Sequence, residues 1–142
     1  MRNFGWPCYE GNAAQYTGPN ICPPQAQTVA PFLTYHHSAS TVGGDGCSVG
    51  SSSIAGMAFY QGASNYPAEF EDALFFSDYS RKCMWVMFPD IDGSPDPAST
   101  EAFANTVATG PVDLQTGPDG NLYYVDFNGG RIMRVKYGLN AV

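Results

Sequence analysis

This sequence predicts an all-β fold that is β-propeller-like: about two blades of antiparallel strands with a disulfide-braced N-terminal loop segment. Three observations carry that prediction. The run Leu74-Phe75-Phe76-Ser77-Asp78-Tyr79 returns as Leu122-Tyr123-Tyr124-Val125-Asp126-Phe127, 48 residues further on. After each copy come three turn-forming residues and a second apolar run, which is the pattern of a β-hairpin. Self-similarity at a period of roughly 40 to 50 residues, carried by short strands, marks the blades of a propeller.

Residues 1–50 are expected to form a separate Gly/Pro-rich loop segment that packs on the blades, and residues 51–142 the two blades as one structural unit. The first segment is rich in Gly, Pro, Asn, Gln and Ser, and its only convincing strand is Pro31-Phe32-Leu33-Thr34-Tyr35-His36. The first blade then opens with a strand over Ile54-Ala55-Gly56-Met57-Ala58-Phe59-Tyr60. A loop from Gln61 to Asp72, centred on Tyr66-Pro67, leads into the repeated run at Leu74. Ser80-Arg81-Lys82 turns the chain into a return strand, Cys83-Met84-Trp85-Val86-Met87-Phe88, and Glu101 to Val107 supplies an outer strand. The second blade begins at Val112-Asp113-Leu114-Gln115. In Gly117-Pro118-Asp119-Gly120 the proline pre-sets φ and the final glycine accepts positive φ, so the chain reverses there. The second repeat follows, then Asn128-Gly129-Gly130 and the strand Arg131 to Tyr137.

The 142 residues are 44% hydrophobic and 14% aromatic, sufficient for one modest core, and 16 Gly with 11 Pro make long helices a poor expectation. Thirteen acidic residues against six basic ones give a formal charge of −7, with no cluster of Lys or Arg. Such a chain has no electrostatic footprint for a phosphate backbone or an anionic bilayer, so nucleic acid and membrane are excluded as expected partners. No apolar run has the length of a membrane-spanning helix, and Met1-Arg2-Asn3 does not lead into a secretion segment.

Four cysteines in a small acidic chain point to an oxidising compartment, extracellular or periplasmic. No C-x-x-C pair is present, which argues against structural zinc and a thioredoxin-type centre. Four cysteines allow three pairings. The preferred one joins Cys8 to Cys22, closing a loop without strands of its own, and Cys47 to Cys83, pinning a Gly/Ser stretch to a strand. The alternative is free buried thiols in a reducing compartment.

Several side-chain groups qualify as candidate sites. Asp90, Asp92 and Asp96 surround a Gly turn, the way short loops gather oxygen ligands for calcium; the plainer reading is a solvated hairpin tip. Trp6, Tyr9, Tyr16, Tyr35 and Tyr60 lie in or beside expected loops, where rings stack on sugar faces, and His36 stands beside Tyr35. His36 and His37 are neighbours on an expected strand, so they point to opposite faces and do not share a metal. Asp78 and Asp126 occupy the same repeat position and are expected to accept hydrogen bonds from the turn that follows. Ser51 to Ser53 lack a nucleophile context, and Glu69, Glu71 and Asp72 lack a partner across a cleft.

Across nearly the whole chain, motifs run in an order that resembles a known family. They are Asn3-Phe4-Gly5-Trp6-Pro7, Ser52 to Tyr60, Ala73 to Arg81, Gly110-Pro111-Val112-Asp113-Leu114, and Gly117 to Asp126. The family is the soluble glucose/sorbosone dehydrogenases, six-bladed propellers that use pyrroloquinoline quinone (PQQ) and calcium; the resemblance is to the last third of their domain. It implies part of a secreted aldose dehydrogenase in which a histidine base takes a hydroxyl proton while hydride passes to the quinone. The segment that would carry that histidine has no counterpart here, and Gly110-Pro111-Val112 stands where the family has an Arg-x-Arg pair for the cofactor's carboxylates. Arg81 and Lys82 are the local candidates for cofactor contacts. The alternative expectation is a non-catalytic carbohydrate-binding or interaction module on the same scaffold. Because two blades do not close a propeller, either a longer chain or a homo-oligomer, such as a trimer, is expected to complete it.

Overall fold

The computed structural model of the protein describes residues 2–16, 21–62, 65–104 and 109–138. Two compact units divide it, Met1–His36 and His37–Val142, so the stretch 37–50 belongs with the strands rather than with the N-terminal segment. Three antiparallel sheets make the fold all-β.

In the N-terminal unit a two-residue ladder pairs β1 (Tyr9–Glu10) with β2 (Ala13–Ala14). Gly11 turns the chain between them at φ 59°, a conformation that suits glycine. The Cys8–Cys22 disulfide, a hydrogen bond from Tyr9 Oη to the Pro23 carbonyl (2.8 Å) and one from Val29 N to the Asn3 carbonyl (2.7 Å) hold the rest. The strand expected over Pro31–His36 does not form. Among the described residues no strand pairs with it, and Phe32 is exposed.

The larger unit holds two sheets. The first has the order β3 (Ile54–Phe59), β4 (Leu74–Asp78), β5 (Cys83–Met87), β6 (Glu101–Ala104). The second runs β7 (Pro111–Thr116), β8 (Leu122–Asp126), β9 (Arg131–Val135). Each expected strand of the repeats is therefore present, within a residue or two at its ends; the remainder of the outer strand, 105–107, lies outside the described residues. The hairpin register repeats as well: Leu74↔Met87 through Asp78↔Cys83 returns as Leu122↔Val135 through Asp126↔Arg131. Both four-residue connections end in a left-handed residue, Lys82 at φ 59° and Gly130 at φ 61°. Both first strands carry a register shift, at Ile54/Gly56 and at Val112/Leu114.

Pairing partners share a face, so the register assigns every side chain to a side. On the front face of the first sheet lie Phe75, Ser77, Met84 and Val86; on its back face lie Leu74, Phe76, Asp78, Cys83, Trp85 and Met87. The same positions of the second sheet give a front face of Tyr123, Val125, Ile132 and Arg134, and a back face of Leu122, Tyr124, Asp126, Met133 and Val135. The core lies where the front of the first sheet meets the back of the second: Phe75, Met84 and Val86 against Leu114, Leu122 and Tyr124. Fully burying each such side chain contributes about 1.5–3 kcal/mol. The expected loop 61–72 closes this core, because Tyr66 stacks on Tyr60 at 4.4 Å and Phe70 lies edge to face against Tyr66.

Backbone groups left over at the junction find partners across it. Tyr60 Oη lies within hydrogen-bond distance of the carbonyls of Gly62 (2.9 Å) and Gly120 (2.8 Å), which share its single proton. Tyr66 Oη donates to the Val135 carbonyl (2.8 Å) and accepts from Leu122 N (3.3 Å). Ser77 Oγ donates to the Pro111 carbonyl. Gly56 has to be glycine here: a Cβ would overlap the Leu114 side chain and lie 2.8 Å from the Asp113 backbone nitrogen.

Candidate functional site

Arg81 sits in the loop between β4 and β5, and the fold turns it inward: it is 1% exposed. Its Nε and Nη2 donate to Ser52 Oγ (3.0 and 2.9 Å), Nη1 to the Ala39 carbonyl (2.7 Å) and Nη2 to the His37 carbonyl (3.3 Å). Asp78, itself fully buried, lies 3.7 Å from Nε. The guanidinium thereby clamps residues 37–52 to the hairpin, and a quinone carboxylate would have to displace those contacts. Lys82, the next residue, is exposed at the tip.

Beside that clamp is a group that sequence reasoning missed. Asp45 is buried under the back face of the first sheet, accepting from Val42 N (3.1 Å), Cys47 N (3.0 Å) and Trp85 Nε1 (3.2 Å). Burial pushes its carboxyl pKa up, but the two amides, the indole and the charge of Arg81 outweigh this and hold it below the ordinary value. Trp85 stacks on Phe76 at 5.4 Å, and the Cys47–Cys83 disulfide fixes the same segment. The only trace of this in the sequence is the Gly-Asp-Gly turn preceding Cys47.

Asp78 and Asp126 do the work expected of them. Asp78 Oδ1 accepts from Arg81 N in the following turn (3.0 Å) and from Ser53 N (2.9 Å). Asp126 Oδ1 accepts from Thr109 N and its hydroxyl (3.2 and 2.7 Å), and Arg131 bonds Oδ2 at 3.0 Å. The Thr109 hydroxyl, aided by Arg131 and two amides, keeps the Asp126 carboxyl below its ordinary pKa despite burial. Each aspartate thus ties its turn to a residue one or two positions before the first strand of its sheet.

The three expected calcium ligands are not drawn together. Asp90 Oδ1 accepts from Asp92 N and Ser94 N, closing its own turn, and Asp96 Oδ1 accepts from Ala98 N at the start of a short 3-10 turn, Pro97–Ser99. Among the described residues no group of three or more His, Cys, Asp or Glu is arranged to hold a metal. The Asp90 and Asp96 carboxylates are each engaged by amides of their own turns on the surface.

Of the candidate sugar-stacking rings, Trp6 is 75% exposed and Tyr16 is exposed, whereas Tyr9 and Tyr35 are half-buried. Tyr60 is a correction: at 1% exposure it is a core residue, drawn in by its two carbonyl partners. His36 and His37 are both exposed. Ser52 and Ser53 serve structure, with Ser52 on Arg81 and Ser53 Oγ 2.8 Å from Ser80 Oγ; Ser51 is exposed. Glu69, Glu71 and Asp72 are exposed on and after the 3-10 turn Ala68–Phe70. Among the described residues no helix is long and apolar enough to cross a membrane. The two disulfides point to an oxidising environment.

Comparison with protein-family models, with curated proteins and with solved structures finds no match. The resemblance to the glucose/sorbosone dehydrogenases accordingly rests on the motifs of this sequence alone.

Proposed function

We propose that this chain is a two-blade portion of a secreted β-propeller of the sugar-dehydrogenase type, and that by itself it binds carbohydrate without oxidising it. The observation that carries the scaffold half of the reading is the repetition of one hairpin register after 48 residues, with the two sheets stacked front to back. Support for the binding half comes from exposed rings in the N-terminal unit, Trp6 above all, which offer flat apolar faces of the kind that sugars stack on. Arg81 is engaged with the 37–52 segment and the Asp90 loop with its own turns, which favours a scaffold without its own redox centre.

The test is paired. Expected are retention of the chain on a glycan array, weakened by Trp6→Ala, and no glucose-dependent dye reduction after addition of PQQ and calcium. Turnover by the chain alone sinks the non-catalytic reading; loss of all glycan retention sinks the binding one. Lys82 favours a second reading, because it is exposed in the loop between paired strands, where the resembling family supplies a lysine. In that reading the chain contributes one cationic corner to an oxidoreductase whose catalytic groups lie in other blades.

A further inference from the structure

The internal junction follows a simple rule: a residue of the first repeat meets the second repeat front to back, and equivalent positions touch. Tyr79 packs edge to face on Phe127 (6.1 Å), its own repeat equivalent, and Tyr79 Oη donates to Asn128 Oδ1 at 3.0 Å. Contacts of this kind are open-ended, since each unit uses one face and leaves the other free. The pair of sheets therefore has two unfinished faces, and their residues show it.

Met84 is fully buried in the front of the first sheet, whereas Ile132, at the same position of the second, is 75% exposed. On the other side, Leu114 lies opposite Tyr124 and fills the junction at 2% exposure; Met57 lies opposite Phe76, the equivalent pairing, and is 60% exposed. Ile54 and Phe59 flank Met57 on the same back face and are exposed too. Ile132, Met57 and Ile54 thus occupy positions that are buried in the other repeat, as Met84, Leu114 and Pro111, against a face that the same chain also presents.

We propose that a second copy of this chain docks head to tail, seating the back of its β3 (Ile54, Met57, Phe59) on the front of the second sheet around Val125 and Ile132. The occupant is a copy of the chain because the two open faces are the same pair of faces that already meet inside it. The contact between copies is narrower than the internal one. Residues 37–50 cover the β4–β5 part of the back face through Asp45 and the Cys47–Cys83 bond, which confines docking to the β3 strip. Val112 also stands at the position of Gly56, so the copies cannot approach as closely as Leu114 approaches Gly56. Because each chain carries −7, association tightens as salt screens the repulsion between copies. Nothing in this inference depends on carbohydrate binding.

Sedimentation velocity on the full chain tests it. Wild type is expected to sediment above the monomer mass at high concentration, while Met57→Asp and Ile132→Asp are each monomeric. An equimolar mixture of the two variants should form a heterodimer and nothing larger, since one intact back face and one intact front face remain. The proposal is overturned by a monomeric wild type at every concentration, by either variant self-associating as wild type does, or by a mixture that stays monomeric. Thermal unfolding of the variants monitors their fold, and Met57→Gln with Ile132→Thr replaces the aspartates where folding is disturbed, under the same criteria.

Discussion

Replacing Arg81 by alanine discriminates a structural guanidinium from a ligand-binding one. Its head group donates to Ser52 Oγ, the Ala39 carbonyl and the His37 carbonyl, and lies beside the fully buried Asp78. Removing one member of a buried ion pair costs about 3–5 kcal/mol, since the other charge stays behind. Each lost hydrogen bond to a charged donor contributes about 1.5–3 kcal/mol within that total rather than on top of it. Arg81→Ala is therefore expected to lower stability by about 3–5 kcal/mol and the thermal unfolding midpoint by roughly 10–17 °C. Arg81→Lys keeps the charge but not the planar fork and should lose about half as much. Urea unfolding followed by tryptophan fluorescence is the assay, because Trp85 is buried against the segment that Arg81 holds. The neighbouring Lys82→Ala, at an exposed position, should stay within about 0.5 kcal/mol of wild type. A loss below about 1 kcal/mol for Arg81→Ala would refute the clamp and return Arg81 to the candidates for ligand binding.

Gly56→Ala is expected to destabilise by about 1–3 kcal/mol in the same urea assay, because its Cβ would collide with Leu114 and the Asp113 backbone. Converting Cys47 and Cys83 to serine together removes a cross-link spanning 36 residues, which on the chain-entropy model costs about 4 kcal/mol; a midpoint unchanged by the double substitution would contradict it. Burial pushes the Tyr66 hydroxyl up to about 12, and raises Tyr60 and Tyr124 as well. A folded-state pKa above the unfolded value of 10 means that the native state holds the proton longer. The corresponding stability is whole below pH 10 and is lost as pH rises toward about 12. Tyr66→Phe should flatten that alkaline decline while lowering stability at neutral pH by about 1–3 kcal/mol, through the Val135 and Leu122 backbone groups it leaves behind.

Much of the β architecture was legible because it is written in short-range chemistry. The repeated run of Leu74–Asp78 and Leu122–Asp126, the turn at Gly117–Gly120 and the two aspartates that brace their hairpins all involve neighbours in sequence or adjacent strands. The strand expected over Pro31–His36 failed for the converse reason: among the described residues no strand pairs with it. The cysteine pairing was also readable, since Cys8–Cys22 closes a short loop and Cys47–Cys83 anchors a segment that lacks strands.

What this sequence determined by itself was the repeating unit: two hairpins of one register, their turns, and a disulfide-braced setting. Only the tertiary structure decided the fate of the individual polar and apolar side chains. Arg81 reads as an exposed turn cation until residues 37–52 fold over it, and Asp45 is an unremarked turn residue until Trp85, 40 positions away, reaches its carboxylate. Met84 and Ile132 are equivalent in sequence, yet one is core and the other surface. The physical reason is that strand periodicity fixes which residues share a face, whereas burial depends on what stacks against that face. In this chain one sheet has its partner and the next does not.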